Sequence, residues 1–220
     1  MNKRIGAVTI GQSPRTDIIS EIKCILGDIE IIERGALDDL SRGEIEKLTP
    51  VKGVGKMLVS RLRDGTEVKL SEDKILGLMQ QKIDELNGLG VDAILLLCTG
   101  EFPHFDSHAL LIKPGDVIKG IVDSLDRSVC LGVMVPDKGQ IEMTLNKWSG
   151  FDNIVIAAAS PYGVFDGIVK AAGKLNLCDI IVMDCMGYNL QMKEAVKKQS
   201  GRPVILSRTT VARVAAEILN

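Results

Sequence analysis

Two stretches decide the fold: LLLCTGEF at residues 95–102 and VMDCMGYN at residues 182–189. Each is an apolar run that reaches a cysteine and meets a glycine two residues later. A near-continuous apolar run of this kind suits a parallel strand covered on both faces. With 81–100 laid over 168–187, an offset of 87, Asp92 and Asp179 each stand six residues before a cysteine and Ile94 falls on Ile181. A second match, at an offset of 126, lays Ile5-Gly6-Ala7-Val8 over Leu131-Gly132-Val133-Met134. The two offsets differ by 39 residues, and the segment about 34–70 accounts for nearly all of that excess. The chain therefore reads as a duplicated α/β unit with material inserted in the first copy.

The surrounding sequence supports this reading. Ile18, Ile19, Ile22 and Leu26 give 16–26 helical spacing after a first strand at 4–10. Asp64-Gly65 between two β-prone runs, 57–63 and 66–70, signals a hairpin. Ser71 is placed to cap a helix running to about Asn87. Further strands are expected at 29–33, 93–97, 129–135, 153–158, 180–183 and 203–206. Helices are expected at 118–125, 138–148, 165–175, 190–198 and 209–219. Such alternation predicts parallel sheets with right-handed crossovers. The expected lobes are 1–112 and 113–207.

Composition narrows the function. The chain has 220 residues, 45% apolar, with a formal charge of −2. Charges of both signs are mixed, no basic stripe stands out, and only 3% of residues are aromatic, which excludes an ordinary nucleic-acid surface. No apolar run approaches the about 20 residues that span a bilayer. The start, MNKRIGAVTIGQSPR, resembles a leader only superficially and is read as a strand, so a cytoplasmic location with reduced thiols is expected. Five irregularly spaced cysteines match neither a disulfide framework nor a zinc pattern, so no metal is expected.

Ligands of open α/β sheets bind beyond the carboxyl ends of the strands, where Cys98 and Cys185 stand. A helix start after each cysteine would favour the thiolate. Gly100 and Gly187 let the backbone approach a ligand closely. Two thiols addressing one carbon from opposite faces can remove a proton and return one. The resulting carbanion needs a carboxylate held by donors. Candidate donors are Gln12, Ser13 and Arg15 after the first strand, Ser160 and Tyr162 after Ala159, and Thr99, Gly100, Met186 and Gly187 beside the cysteines. A plainer reading stands beside this one, since a cysteine without a disulfide is usually a small buried apolar residue. Cys24, Cys130 and Cys178 fit that plainer reading. His104, Asp106 and His108 are read as shaping a loop, and the glycine-rich 51–56 as a turn, since it lacks the spacing of a phosphate loop.

The opening IGAVTIGQSPRTDI, LLLCTGEF, MDCMGY and the closing PVILSRTTVARVAAEIL together resemble AroM proteins, a bacterial family named for a gene neighbour of aromatic amino-acid biosynthesis. More distantly, the paired strand-end cysteines resemble the aspartate/glutamate racemase superfamily. That likeness implies two pseudosymmetric α/β lobes, no cofactor, and catalytic positions for Cys98 and Cys185. It also implies that a C-terminal helix, 208–220, completes the first lobe. The racemases often carry Cys-Thr-Glu or Cys-Asn-Thr, whereas here Thr99 precedes Gly100 and Met186 follows Cys185. Two functions follow as expectations. The first is a cofactor-independent racemase, isomerase or lyase acting on a small carboxylate, with a homodimer as the ordinary assembly. The second is a regulatory AroM-type protein that binds a small anionic metabolite linked to aromatic amino-acid biosynthesis.

Overall fold

A computed structural model describes residues 3–51 and 55–220. The 51–56 turn falls largely on residues 52–54, outside the described residues. Buried apolar runs form the strands β1 (Arg4–Thr9) and β5 (Ala93–Leu96), and the more exposed β2 (Glu30–Gly35) and β6 (Leu110–Ile112) flank them in a first sheet ordered β2-β1-β5-β6. A second sheet holds β7 (Cys130–Val135), β8 (Asn153–Ala158), β9 (Ile180–Met183) and β10 (Val204–Leu206), ordered β8-β7-β9-β10. Every pairing within both sheets is parallel.

The register carries the duplication. Ile5 pairs with Ala93 and Gly6 with Ile94, while Leu131 pairs with Ile180 and Gly132 with Ile181. Moving β1 by 126 and β5 by 87 turns the first ladder into the second. Finer bonds repeat as well. Asp92 accepts the Arg4 amide at 2.8 Å, and Asp179 accepts the Cys130 amide at 2.7 Å. Leu97 donates to the Val8 carbonyl at 2.7 Å, and Asp184 to that of Met134 at 2.9 Å. Gly6 and Gly132 face the same demand for space: a Cβ on Gly6 would lie 2.7 Å from Leu86, and one on Gly132 3.0 Å from the Cys178 sulfur.

The helices bury one stripe each. In α1 (Thr16–Leu26) the stripe is Ile18, Ile22 and Leu26, and Gly27 ends the helix at a φ of 65°. In α3 (Glu72–Gly88) it is Ile75, Met79, Ile83 and Leu86. The α3 side chains fill the first core with Val8, Ile94 and Leu96; truncating Ile75, Met79, Ile83 or Leu86 to alanine would cost about 2–5 kcal/mol. The second core gathers Met134, Ile181 and Met183 around Ile168 and Ala172 of α6 (Phe165–Gly173) and Met192 and Val196 of α7 (Leu190–Ser200).

The inserted segment folds onto the first core. Its helix α2 (Arg42–Glu46) begins with a reciprocal Ser41–Glu44 cap. Its hairpin, β3 (Met57–Arg61) and β4 (Glu67–Ser71), pairs Met57 with Ser71 and turns through Gly65 at a φ of 93°. Leu58, Leu62 and Leu70 bury beside Ile10 and Met79.

Several local expectations need correction. Ser71 occupies the cap position of α3, but its hydroxyl donates to Asp73 and caps no backbone amide. β6 and α2 were not anticipated. α4 spans Pro114–Asp123, four residues earlier than expected at its start, because Pro114 suits the first helical turn. The expected helix at 138–148 divides into a 3₁₀ turn, Lys138–Gln140, and α5, Ile141–Lys147. The final helix, α8, spans Ser207–Leu219. The chain resolves into two units, 1–117 with 211–220, and 118–210. No helix of the described residues is long and apolar enough to cross a membrane.

Candidate active site

In the first unit, β5 ends and Cys98 follows, half-buried against the first core. The Gly100 amide donates to its sulfur at 3.4 Å. A Cβ on Gly100 would lie 3.1 Å from Leu58 of the inserted hairpin and 3.2 Å from Phe102, so the chain passes closely there. Thr99 is buried. The expectation of a helix directly after Cys98 is corrected: the chain runs irregularly to β6. The helix that reaches this loop is α4, where a Cβ on Gly115 would sit 2.8 Å from the carbonyl oxygens of both Thr99 and Gly100.

In the second unit, Cys185 follows β9 in the equivalent place, half-buried against the second core. The Gly187 amide donates to its sulfur at 3.3 Å. The Tyr162 ring packs against Gly187, with its hydroxyl oxygen 2.6 Å and Pro161 Cγ 2.7 Å from where a Cβ would stand. The Ser160 hydroxyl accepts the Tyr162 amide at 3.0 Å, so Ser160, Tyr162 and Gly187 form one cluster beside Cys185. Met186 is buried. Tyr188 is buried and donates to the Ala159 carbonyl at 2.7 Å, tying the loop to the end of β8. Asn189 then caps α7 by accepting the Met192 amide at 2.8 Å.

Asp184 precedes Cys185, and like charge there would oppose a thiolate. Both residues lie beyond the end of β9, where the Cys185 N–H turns back onto the Met183 carbonyl at 3.0 Å. Asp184 lies with Lys147, its oxygens 2.8 and 3.1 Å from the ammonium, both side chains under a tenth exposed. Lys147 also lies 5.0 Å from the Trp148 ring.

Sequence reasoning missed Arg208. It is buried, with Nε donating to the Met186 carbonyl and Nη2 to that of Gly187, both at 2.9 Å. Ser207 donates to the Met183 carbonyl at 2.8 Å, so the start of α8 grips the Cys185 segment from both sides. The available signal was an arginine set among Ser207, Thr209 and Thr210 immediately after an apolar strand.

The loop after β1 is engaged by the insertion. Ser13 donates its hydroxyl and its amide to Asp38, at 2.6 and 2.7 Å. Gln12 donates to the Leu37 carbonyl and accepts the Arg63 amide. Arg15 is buried and forks onto Asp17 at 2.9 Å twice, with Nη1 on Thr9 and Ser60. The Arg15 amide donates to Glu33 at 2.6 Å; burial pushes that carboxyl above its usual range, with the Arg15 bond pulling the other way. Gln12, Ser13 and Arg15 thus stand together after β1, each with partners of its own.

His104 and Asp106 are exposed and lie 3.5 Å apart. Among the described residues, no group of three or more His, Cys, Asp or Glu side chains is arranged to hold a metal ion. No cysteine among the described residues forms a disulfide. Burial and a hydrogen bond with Cys130 push the Cys178 thiol up to about 12.

The AroM protein family model matches residues 5–219. No curated protein matches the chain by sequence. Among solved structures, the maleate isomerase Iso of Pseudomonas putida S16 superposes with a TM-score of 0.64 at 14% identity, covering 100% of this chain and 93% of that one. The aspartate racemase of Picrophilus torridus gives 0.62 at 13% identity, covering 99% and 94%. Arylmalonate decarboxylase gives 0.57 at 13%, covering 98% and 91%. At such identities these similarities establish a shared fold.

Proposed function

Because this chain belongs to the AroM family and is built on the fold of racemases, isomerases and a decarboxylase, we propose that it is a cofactor-independent racemase- or isomerase-like enzyme acting on a small carboxylate. Cys98 and Cys185 are its acid/base pair. One thiolate takes the proton from the carbon beside the carboxylate, and the other thiol returns a proton to the opposite face. No net oxidation occurs, and the two sulfurs exchange protonation states in each turnover. The observation that carries this reading is the repeated N–H donation onto sulfur, from Gly100 to Cys98 and from Gly187 to Cys185. A donor aimed at sulfur favours its charged form.

The hydroxyls of Thr99, Ser160 and Tyr162, with the amides around Gly100, Met186 and Gly187, are the donors for the carboxylate. Gln12, Ser13 and Arg15 belong to the same binding set at the end of β1, and their side chains are also engaged with Leu37, Asp38 and Asp17. That engagement is the observation favouring the second reading, a regulatory binder of a small anion.

The test is site-resolved alkylation by iodoacetamide in the presence of a panel of small 2-substituted and unsaturated dicarboxylates. The reading expects one compound to protect Cys98 and Cys185 together. Exposed Cys24 should label regardless, and Cys178 should stay unlabelled until unfolding, because its thiol is buried and pushed up to about 12. Protection of only one of the two cysteines by every compound would overturn the pairing.

A further inference from the structure

Arg208 and Gly115 occupy one position of the repeat. In the first sheet Ile94 pairs with Leu111, and in the second Ile181 pairs with Val204, so a shift of 93 carries residues after β6 onto those after β10. That shift lays Gly115 on Arg208. The carbonyls each faces are equivalent as well: Thr99 and Gly100 for Gly115, Met186 and Gly187 for Arg208. In the first unit α4 packs its backbone flush against the two carbonyls. In the second a guanidinium fills that space and donates to both.

We propose that Arg208 is a positioning residue for Cys185. The Met186 carbonyl and the Gly187 N–H belong to one planar trans peptide, so they point in opposite directions. Arg208 holds the carbonyl on one side, and the N–H is thereby aimed at the Cys185 sulfur on the other. The second bond, to the Gly187 carbonyl, fixes the next peptide. A planar fork with several donors meets both oxygens at once, which a lysine ammonium does not reproduce. Gly115 brings no side chain to the Thr99 and Gly100 carbonyls, so the two loops differ at this position of the repeat. Asp184, paired with Lys147, precedes Cys185, Tyr162 packs against Gly187, and Arg208 lies on the Met186 and Gly187 carbonyls; along the chain, Asp137 and Lys138 follow β7, the neighbour of β9, and Lys193 lies in the first turn of α7.

Arg208→Lys and Gly115→Ala test this by the pH profile of alkylation at each cysteine. Arg208→Lys should displace the Cys185 profile upward and slow its labelling at neutral pH by about tenfold, leaving Cys98 unchanged. Gly115→Ala, which presses a methyl group onto the Thr99 and Gly100 carbonyls, should alter Cys98 and leave Cys185 unchanged. A Cys185 profile in Arg208→Lys that coincides with that of the parent overturns the proposal. Should the lysine variant not fold, NMR on the parent decides. The Gly187 amide proton should follow the Cys185 titration and the Arg208 Nε proton should resist exchange; a Gly187 amide indifferent to that titration overturns the proposal. The inference rests on the thiol reading above, but its test needs no turnover. A chain that transforms no carboxylate would sink the reaction and leave this result standing.

Discussion

The carboxylate of Asp92 accepts the backbone N–H of Arg4 across 2.8 Å, joining the residue just before β5 to the first residue of β1. The reverse bond, Asp92 amide to Arg4 carbonyl, closes the pair at 2.9 Å. Asp179 and Cys130 repeat both bonds in the second sheet.

This clamp makes stability depend on acid. The Arg4 N–H, with Lys3 beside it, holds the Asp92 carboxyl below its ordinary 3.8. A depressed acid contributes stability above its unfolded-state value, and that contribution is lost as pH falls through the folded-state value. The denaturation midpoint of Asp92→Ala should therefore lie below that of the parent at neutral pH. The gap should close as pH drops beneath about 4. A gap that widens in acid would contradict the assignment. Denaturant titrations across pH provide the check.

The pair Lys147–Asp184 predicts a different asymmetry. Both side chains are buried, so Asp184→Ala strands an ammonium in the interior and should destabilise by about 3–5 kcal/mol. Replacing both residues with apolar ones of similar volume should cost clearly less than the two single substitutions summed. Additive losses in a double-mutant cycle would show that the pair is not coupled.

The sequence shows the repeat because strand patterning and the cysteine–glycine spacing are local signals. The register of β1 on β5 and of β7 on β9 later reproduces both offsets read from the sequence. β6 escaped because three residues after a histidine-rich loop carry too little periodicity. α2 is legible in Ser41 and Glu44, a capping pair three residues apart. The site is less transparent. Cys98 and Cys185 are visible as strand ends, but no local pattern says that Asp38 will occupy Ser13, that Ser60 will meet Arg15, or that Lys147 will meet Asp184. Those contacts arise only when segments distant in sequence pack together. Arg208 lies in the same class, since its partners are 21 and 22 residues away.

The central claim is that Cys98 and Cys185 move one proton each at a single carbon. Its most direct measurement is exchange of the α-proton of the protecting carboxylate in deuterated water, for the parent, Cys98→Ser and Cys185→Ser. The account predicts deuterium incorporation by the parent and a loss of at least about 10²-fold in each variant. Exchange at the parental rate in both variants would contradict it.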